Sequence, residues 1–352
     1  MSNPGEVLEF SRATSVLSYL EPLNAWMEDP SITEICVNRP GEVFIERASH
    51  WERHDCPAMT LDHCSGLATA VAKFSGNQDI SDSHPILSGM LPGEQRIQIV
   101  RPPACEAYTY AYTIRKPSKA SHTLDDYEKA GFFQHVRPAA SGLTSAEQQL
   151  KELHSSGDYL AFLRLAVKQE KNIVVAGETG SGKTTLMKAL MREIPTEQRI
   201  ITIEDTQELF LPDHPNHVHL FYPAAAKEDA EVNAASLLKS CLRMKPTRIL
   251  LAELRSGETY DFLNVAASGH AGSITSCHAG SCDLTFERLA LMVQQNRQGR
   301  ELPFDAIRRL LYLLVDVVVH VTNDVDGGRG RHITEIYYRP ERKREAMAGS
   351  GK

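Results

Sequence analysis

The chain has 352 residues, 42% hydrophobic and 24% charged, with 38 Lys plus Arg against 45 Asp plus Glu and a net charge of −7. That length holds about two ordinary domains and a sizeable core, which excludes a disulfide-stapled miniprotein, a disordered chain or a fibre. The excess of acid gives phosphate backbones little to hold, so no sequence-specific nucleic-acid binding is expected.

The longest apolar run, Leu310 to Val321, is broken by Asp316 and His320 and falls short of the roughly 20 residues that cross a bilayer. Glu6, Glu9 and Arg12 interrupt the start of the chain, so no cleaved secretory signal is expected and a cytoplasmic location is. Seven scattered cysteines with no Cys-x-x-Cys pair read as reduced thiols, and the spacing of Cys277, His278 and Cys282 fits no common zinc site.

From Ile32 to Arg47, two short β-rich runs flank Asn38-Arg39-Pro40-Gly41, which predicts a hairpin. Leu67, Val71 and Phe74 recur at helical spacing. Two strands are expected at Arg96 to Arg101 and Tyr108 to Arg115. Alternation sets Arg96 and Gln98 opposite Ile97 and Ile99, and Thr113 and Arg115 opposite Tyr108, Tyr110, Tyr112 and Ile114. Residues 1–117 therefore read as an α+β amino-terminal domain. Residues 118–157, rich in Ser, Ala, Lys, Glu and Gln, read as an interdomain linker. From 158 to 340, helices alternate with short apolar strands at Ile173 to Ala176, Ile200 to Ile203, Ile249 to Ala252, Ser273 to Ser276 and Val315 to Val321. That pattern predicts an α/β domain with a buried parallel sheet. Asp326-Gly327-Gly328 marks a hairpin at the sheet edge, and the polar tail 341–352 is expected to be disordered.

Gly177-Glu178-Thr179-Gly180-Ser181-Gly182-Lys183-Thr184 fits the phosphate-loop pattern G-x-x-x-x-G-K-[ST], between an apolar strand and the helical run Leu186 to Leu190. Glycines let backbone N–H groups turn toward phosphates, Lys183 neutralises their charge, and Thr184 offers a hydroxyl to Mg²⁺. Hydrolysis also needs a group that orients or deprotonates water. Glu253, at the end of a buried strand, is the candidate base; Asp205 and Glu208 are candidates for holding Mg²⁺ through water. His270 and His278, in Gly-rich surroundings at the two ends of one strand, are candidate phosphate contacts.

The phosphate loop, the acidic box Ile203 to Leu209, Ala252-Glu253-Leu254-Arg255-Ser256 and the histidine box Ser268 to Ser281 together resemble the traffic ATPases of type IV secretion systems, within the wider secretion ATPase superfamily. Asp29 to Ile35, Asn38 to Glu42 and Ile114 to Ser118 resemble the amino-terminal domain of the same family. The chain lacks a four-cysteine zinc insertion, and its acidic box reads Asp-Thr-Gln-Glu. Both departures favour type IV secretion over type II secretion or pilus ATPases. The resemblance implies a RecA-like carboxy-terminal domain and a homo-hexamer that hydrolyses ATP with Mg²⁺. It also implies peripheral attachment to the cytoplasmic face of the inner membrane, with inner-membrane and cytoplasmic components of the secretion machinery as partners. Nucleotide would be held by residues 178–185 and by amino-terminal arginines, to which Arg96 and Arg115 correspond. A phosphotransferase built on the same loop would need an acceptor pocket and an arginine-rich lid, and neither is visible in the sequence.

Overall fold

The structure, a computed structural model, describes residues 4–118, 122–136, 142–226 and 230–348. The amino-terminal part runs α1 (Pro4–Leu20), α2 (Asn24–Glu28), β1 (Ile32–Val37), β2 (Gly41–Arg47), β3 (His50–Cys56), α3 (Leu61–Phe74), β4 (Ile86–Met90), β5 (Arg96–Val100) and β6 (Ala111–Arg115). Its six strands form an antiparallel sheet in the order β3-β2-β1-β6-β5-β4. Thr60 caps α3 by accepting the His63 N–H at 3.1 Å. The apolar stripe of α3, with Leu67 and Val71 fully buried, closes one face of this sheet together with α1.

The predicted second strand begins at Ala111 rather than Tyr108. Tyr108 has φ +62° and is 81% exposed, so it lies outside the pleat, whereas Tyr110 and Tyr112 are buried and stack at 6.1 Å. On the opposite face, strand register lines up Arg96, Arg115, Glu34 and Glu46, one residue from each of β5, β6, β1 and β2.

Two helices, α4 (Leu124–Lys129) and α5 (Ser145–Ser156), form in the stretch predicted as linker. Capping boxes start both, at Thr123 with Asp126 and at Thr144 with Glu147. α5 packs on α6 (Tyr159–Lys168), and Leu150 is fully buried beside Phe162. Helix α5 is part of the second body, and its polar composition hid the apolar contacts of Leu150 and Leu153.

The second body continues with β7 (Ile173–Gly177), α7 (Lys183–Met191), β8 (Ile200–Glu204), β9 (His217–Phe221), α8 (Ala234–Cys241), β10 (Arg248–Leu254), α9 (Glu258–Ala267), β11 (Ile274–Cys277), α10 (Cys282–Val293), α11 (Phe304–Leu314), β12 (Val317–Asp324), β13 (Gly330–Tyr338) and α12 (Pro340–Ala348). The seven-stranded sheet has the order β13-β12-β7-β11-β10-β8-β9, parallel except for the edge hairpin β12–β13. Strands β7, β8 and β11 are buried along their whole length because helices cover both faces. The tail predicted as disordered is instead helical from Pro340 to Ala348. Lys343 bonds Asp316 at 2.6 Å, Glu341 pairs with Lys151, and the Arg342 guanidinium lies 3.8 Å from the Tyr312 ring centroid. These partners are distant in sequence. Residues 349–352 lie outside the described residues.

The two sheets meet through a buried seam. Arg199, at the start of β8 and fully buried, donates to Asn38 Oδ1 at 2.7 Å, Asn216 Oδ1 at 2.5 Å and the Met244 carbonyl at 3.0 Å. Gln98 donates to Ser240 at 2.9 Å. Beyond β5, the Ala104 carbonyl accepts from Phe221 N–H at 2.9 Å, so this segment lies along the free edge of β9.

Candidate active site

The phosphate loop emerges where β7 ends and α7 begins, at the carboxyl edge of the parallel strands, the edge at which α/β sheets place ligands. Gly177 sits so close to β12 that an added Cβ would lie 2.2 Å from the Val321 carbonyl oxygen. Gly182, with φ +99°, caps α7 without any side-chain acceptor. The first-turn N–H groups of that helix therefore remain available to an anion, with the positive end of its dipole behind them. Residues 178–180 and Thr185 are exposed, Thr184 is half-buried and Ser181 is buried, its hydroxyl donating to the Glu178 carbonyl at 2.8 Å. Lys183 folds back over the loop, its ammonium donating to the carbonyls of Gly177 at 3.0 Å and Glu178 at 2.9 Å. Burial pushes the Lys183 pKa down, with Glu253 opposing. An anion in the loop would supply the missing counter-charge.

Around this cation stand the predicted acids. Glu253 is held through Oε2 by Arg255, at 2.8 Å, and the same guanidinium bonds Asp205. Burial opposes the charge on Arg255, but hydrogen bonds to the two carboxylates outweigh it and raise its pKa. Glu253 Oε1 is shielded from solvent and accepts no hydrogen bond, although His278 Nε2 lies 2.9 Å away. A free, buried carboxylate oxygen next to a phosphate loop is an acceptor ready for a water molecule. Glu204, fully buried, accepts from the N–H groups of Glu208 and Leu209 at 2.7 and 2.8 Å and so shapes the loop that carries Asp205. The Glu208 side chain is exposed.

The structure gathers Lys183, Glu253, Asp205 and His278, but not the remaining candidates. His270 precedes β11 and His278 follows it, so the strand holds them at opposite edges of the sheet. Arg96 and Arg115 line a cleft of about 1010 Å³ with His270, Gln198 and Thr247, residues that precede β11, β8 and β10. Within one chain, then, these arginines face the edge away from the phosphate loop. Arg115 lies 3.7 Å from Glu34, and Arg101 is bonded to Asp82 at 2.7 Å.

Two contributors lie outside the sequence reading. Arg331 of β13 donates to the Gly180 carbonyl at 3.0 Å and lies against Gly182, tying the edge hairpin to the loop. Arg255 was visible in its motif, but its double grip on Glu253 and Asp205 depends on β8 and β10 lying side by side.

Comparison with known proteins places the chain in a family. The family described as "Type II/IV secretion system protein" matches residues 18–320. The chain is 68% identical over 335 residues to the type IV secretion system protein VirB11 of Brucella abortus biovar 1, covering 95% of this chain and 92% of that one. It is 45% identical over 329 residues to the type IV secretion system protein PtlH of Bordetella pertussis, covering 93% and 96%. The crystal structure of the VirB11 ATPase from the Brucella suis type IV secretion system, in complex with sulphate, has a TM-score of 0.92 and 66% identity, covering 97% of this chain and 99% of that one.

Proposed function

The chain belongs to the type II/IV secretion system protein family, and we propose that it is the ATP-hydrolysing motor of a type IV secretion system, with residues 178–185 binding the nucleotide and Glu253 activating water. The observation that carries the catalytic assignment is the free Oε1 of Glu253, with Arg255 fixing the other oxygen and His278 at its side. Lys183 trades its loop carbonyls for the terminal phosphate oxygens, and the α7 N-terminus stabilises the charge that grows on them during transfer. Glu253 accepts the proton of the attacking water.

Thr184 and Asp205 offer hard oxygen donors, the kind Mg²⁺ prefers while keeping several waters; Glu208 stands on the same loop as Asp205. Bound there, the ion would supply positive charge that offsets the phosphate charge. Support for a ring comes from the placement of Arg96 and Arg115: they face away from their own loop, so a neighbouring copy is the natural recipient of their charge. A homo-hexamer is our reading, in keeping with the family resemblance. Among the described residues, no helix is long and apolar enough to cross a membrane, so we place the motor peripherally, at the cytoplasmic face of the inner membrane, docked on other secretion components.

Mass measurement of the full chain with and without ATP and Mg²⁺, run alongside a phosphate-release assay, tests the reading. Nucleotide-dependent assembly with turnover is expected. A monomer that releases no phosphate under both conditions overturns it.

A further inference from the structure

His217 and His219 occupy alternate positions of the edge strand β9 and so share one face, with ring centroids 4.9 Å apart. Glu106 stands opposite, on the segment that Ala104 fastens to Phe221. One ligand atom from each of the three lies within 4.8 Å of the other two. We propose that Glu106, His217 and His219 form a binding site for a borderline divalent transition cation, zinc by donor chemistry, at the seam between the two sheets.

Hydrogen bonding sets both imidazoles in the tautomer that a metal needs. The His217 Nδ1 lies 2.5 Å from the His214 carbonyl, which can only accept, so Nδ1 carries the proton. At its Nε2, the Arg39 guanidinium lies 3.0 Å away; a guanidinium can only donate, so Nε2 presents a lone pair. The His219 Nδ1 lies 2.7 Å from the Thr202 hydroxyl, whose proton goes to Glu204 Oε1 at 2.8 Å. That Nδ1 must therefore donate, which leaves Nε2 as the acceptor. Glu204, fully buried, supplies through Thr202 the carboxylate support typical of metal-bound histidines. Gln207 donates to Glu106 Oε1 at 3.2 Å, leaving Oε2 as the other carboxylate oxygen. Two imidazole nitrogens and one carboxylate, with water as fourth ligand, suit tetrahedral zinc; Mg²⁺ and Ca²⁺ prefer oxygen throughout.

Arg39 guards the site. Its guanidinium sits at the His217 lone pair and is also bonded to Glu42 at 2.7 Å, so it can swing off the imidazole and keep a partner. A bound metal would join the amino-terminal segment to β9. Through Glu204, it would also stiffen the loop that carries Asp205 and Glu208.

The test is a titration of chelator-treated full chain with Co²⁺, without nucleotide, followed by displacement with Zn²⁺. About one equivalent should bind, with visible ligand-field bands and no thiolate charge-transfer band. Glu106→Gln and His217→Gln should each weaken binding at least about tenfold, and Arg39→Gln should tighten it. No saturable uptake, uptake unaltered by both ligand substitutions, or thiolate bands from any of the seven cysteines would overturn the site. Unchanged or weaker binding in Arg39→Gln would overturn the guard.

Discussion

The His278 Nε2 lies 2.9 Å from Glu253 Oε1, while the Nδ1 of the same ring faces the Lys183 ammonium at 3.4 Å. An ammonium only donates, so the ring presents its Nδ1 lone pair to Lys183, while its Nε2 stands beside the acid without a hydrogen bond to Oε1. One imidazole thus spans the phosphate-binding cation and the base. Glu253→Gln should lower kcat about 10²-fold or more with nucleotide affinity nearly unchanged. His278→Ala should lower kcat less. Steady-state kinetics beside equilibrium binding of a fluorescent nucleotide separates the two effects, and full turnover in Glu253→Gln would remove it as base.

Lys183→Ala removes the ammonium that is folded onto the Gly177 and Glu178 carbonyls. Nucleotide binding should fall by an order of magnitude or more, since charge-assisted contacts to phosphate are worth roughly 1.5–3 kcal/mol each. Calorimetry with ADP and with a non-hydrolysable triphosphate measures it.

Arg331 reaches the loop from the edge hairpin, bonding the Gly180 carbonyl at 3.0 Å. Arg331→Ala should raise the dissociation constant for nucleotide by about fivefold, the worth of one hydrogen bond near 1 kcal/mol, while thermal stability barely changes. An unaltered constant would confine the hairpin to a packing role.

Arg199→Ala strips the seam of a buried guanidinium and leaves Asn38 Oδ1 and the Met244 carbonyl without their donor, while Asn216 Oδ1 keeps only the Asn38 amide. A loss of at least about 3 kcal/mol is expected in urea unfolding. Trp51 fluorescence should change as well, because Arg199 lies 5.6 Å from its ring centroid.

Burial raises the Glu34 pKa to about 7, against the pull of Lys245 and Arg115. Folding therefore takes up a proton between the unfolded value of 4.5 and 7. The stability that the protonated form provides is complete below the unfolded value and is lost as pH rises through 7. Glu34→Gln keeps the neutral form at every pH. Relative to the unsubstituted chain it should gain stability from pH 5 to pH 8, by up to on the order of 3 kcal/mol. Parallel denaturation curves at both pH values would contradict this.

The sequence made the carboxy-terminal sheet legible because its strands are apolar throughout, and it made the loop at 177–184 legible because phosphate binding demands a local pattern. Edge strands left weaker marks. β3, His50–Cys56, carries histidines and acids and β9, His217–Phe221, two histidines, and their pairing depends on neighbours elsewhere in the chain. The turn of Arg96 and Arg115 away from the phosphate loop and the reach of Arg331 across 151 positions were equally hidden. Local pattern fixes which residues can do chemistry, and strand order decides which of them meet.

The guanidinium of Arg199, locked between Asn38 and Asn216, makes a stiff joint of the place where the two sheets touch. A hinge there would have to drag a charge out of a dry seam, so the two halves of one chain should travel as a single lever. In the ring we propose, any power stroke then falls on the joints between adjacent copies.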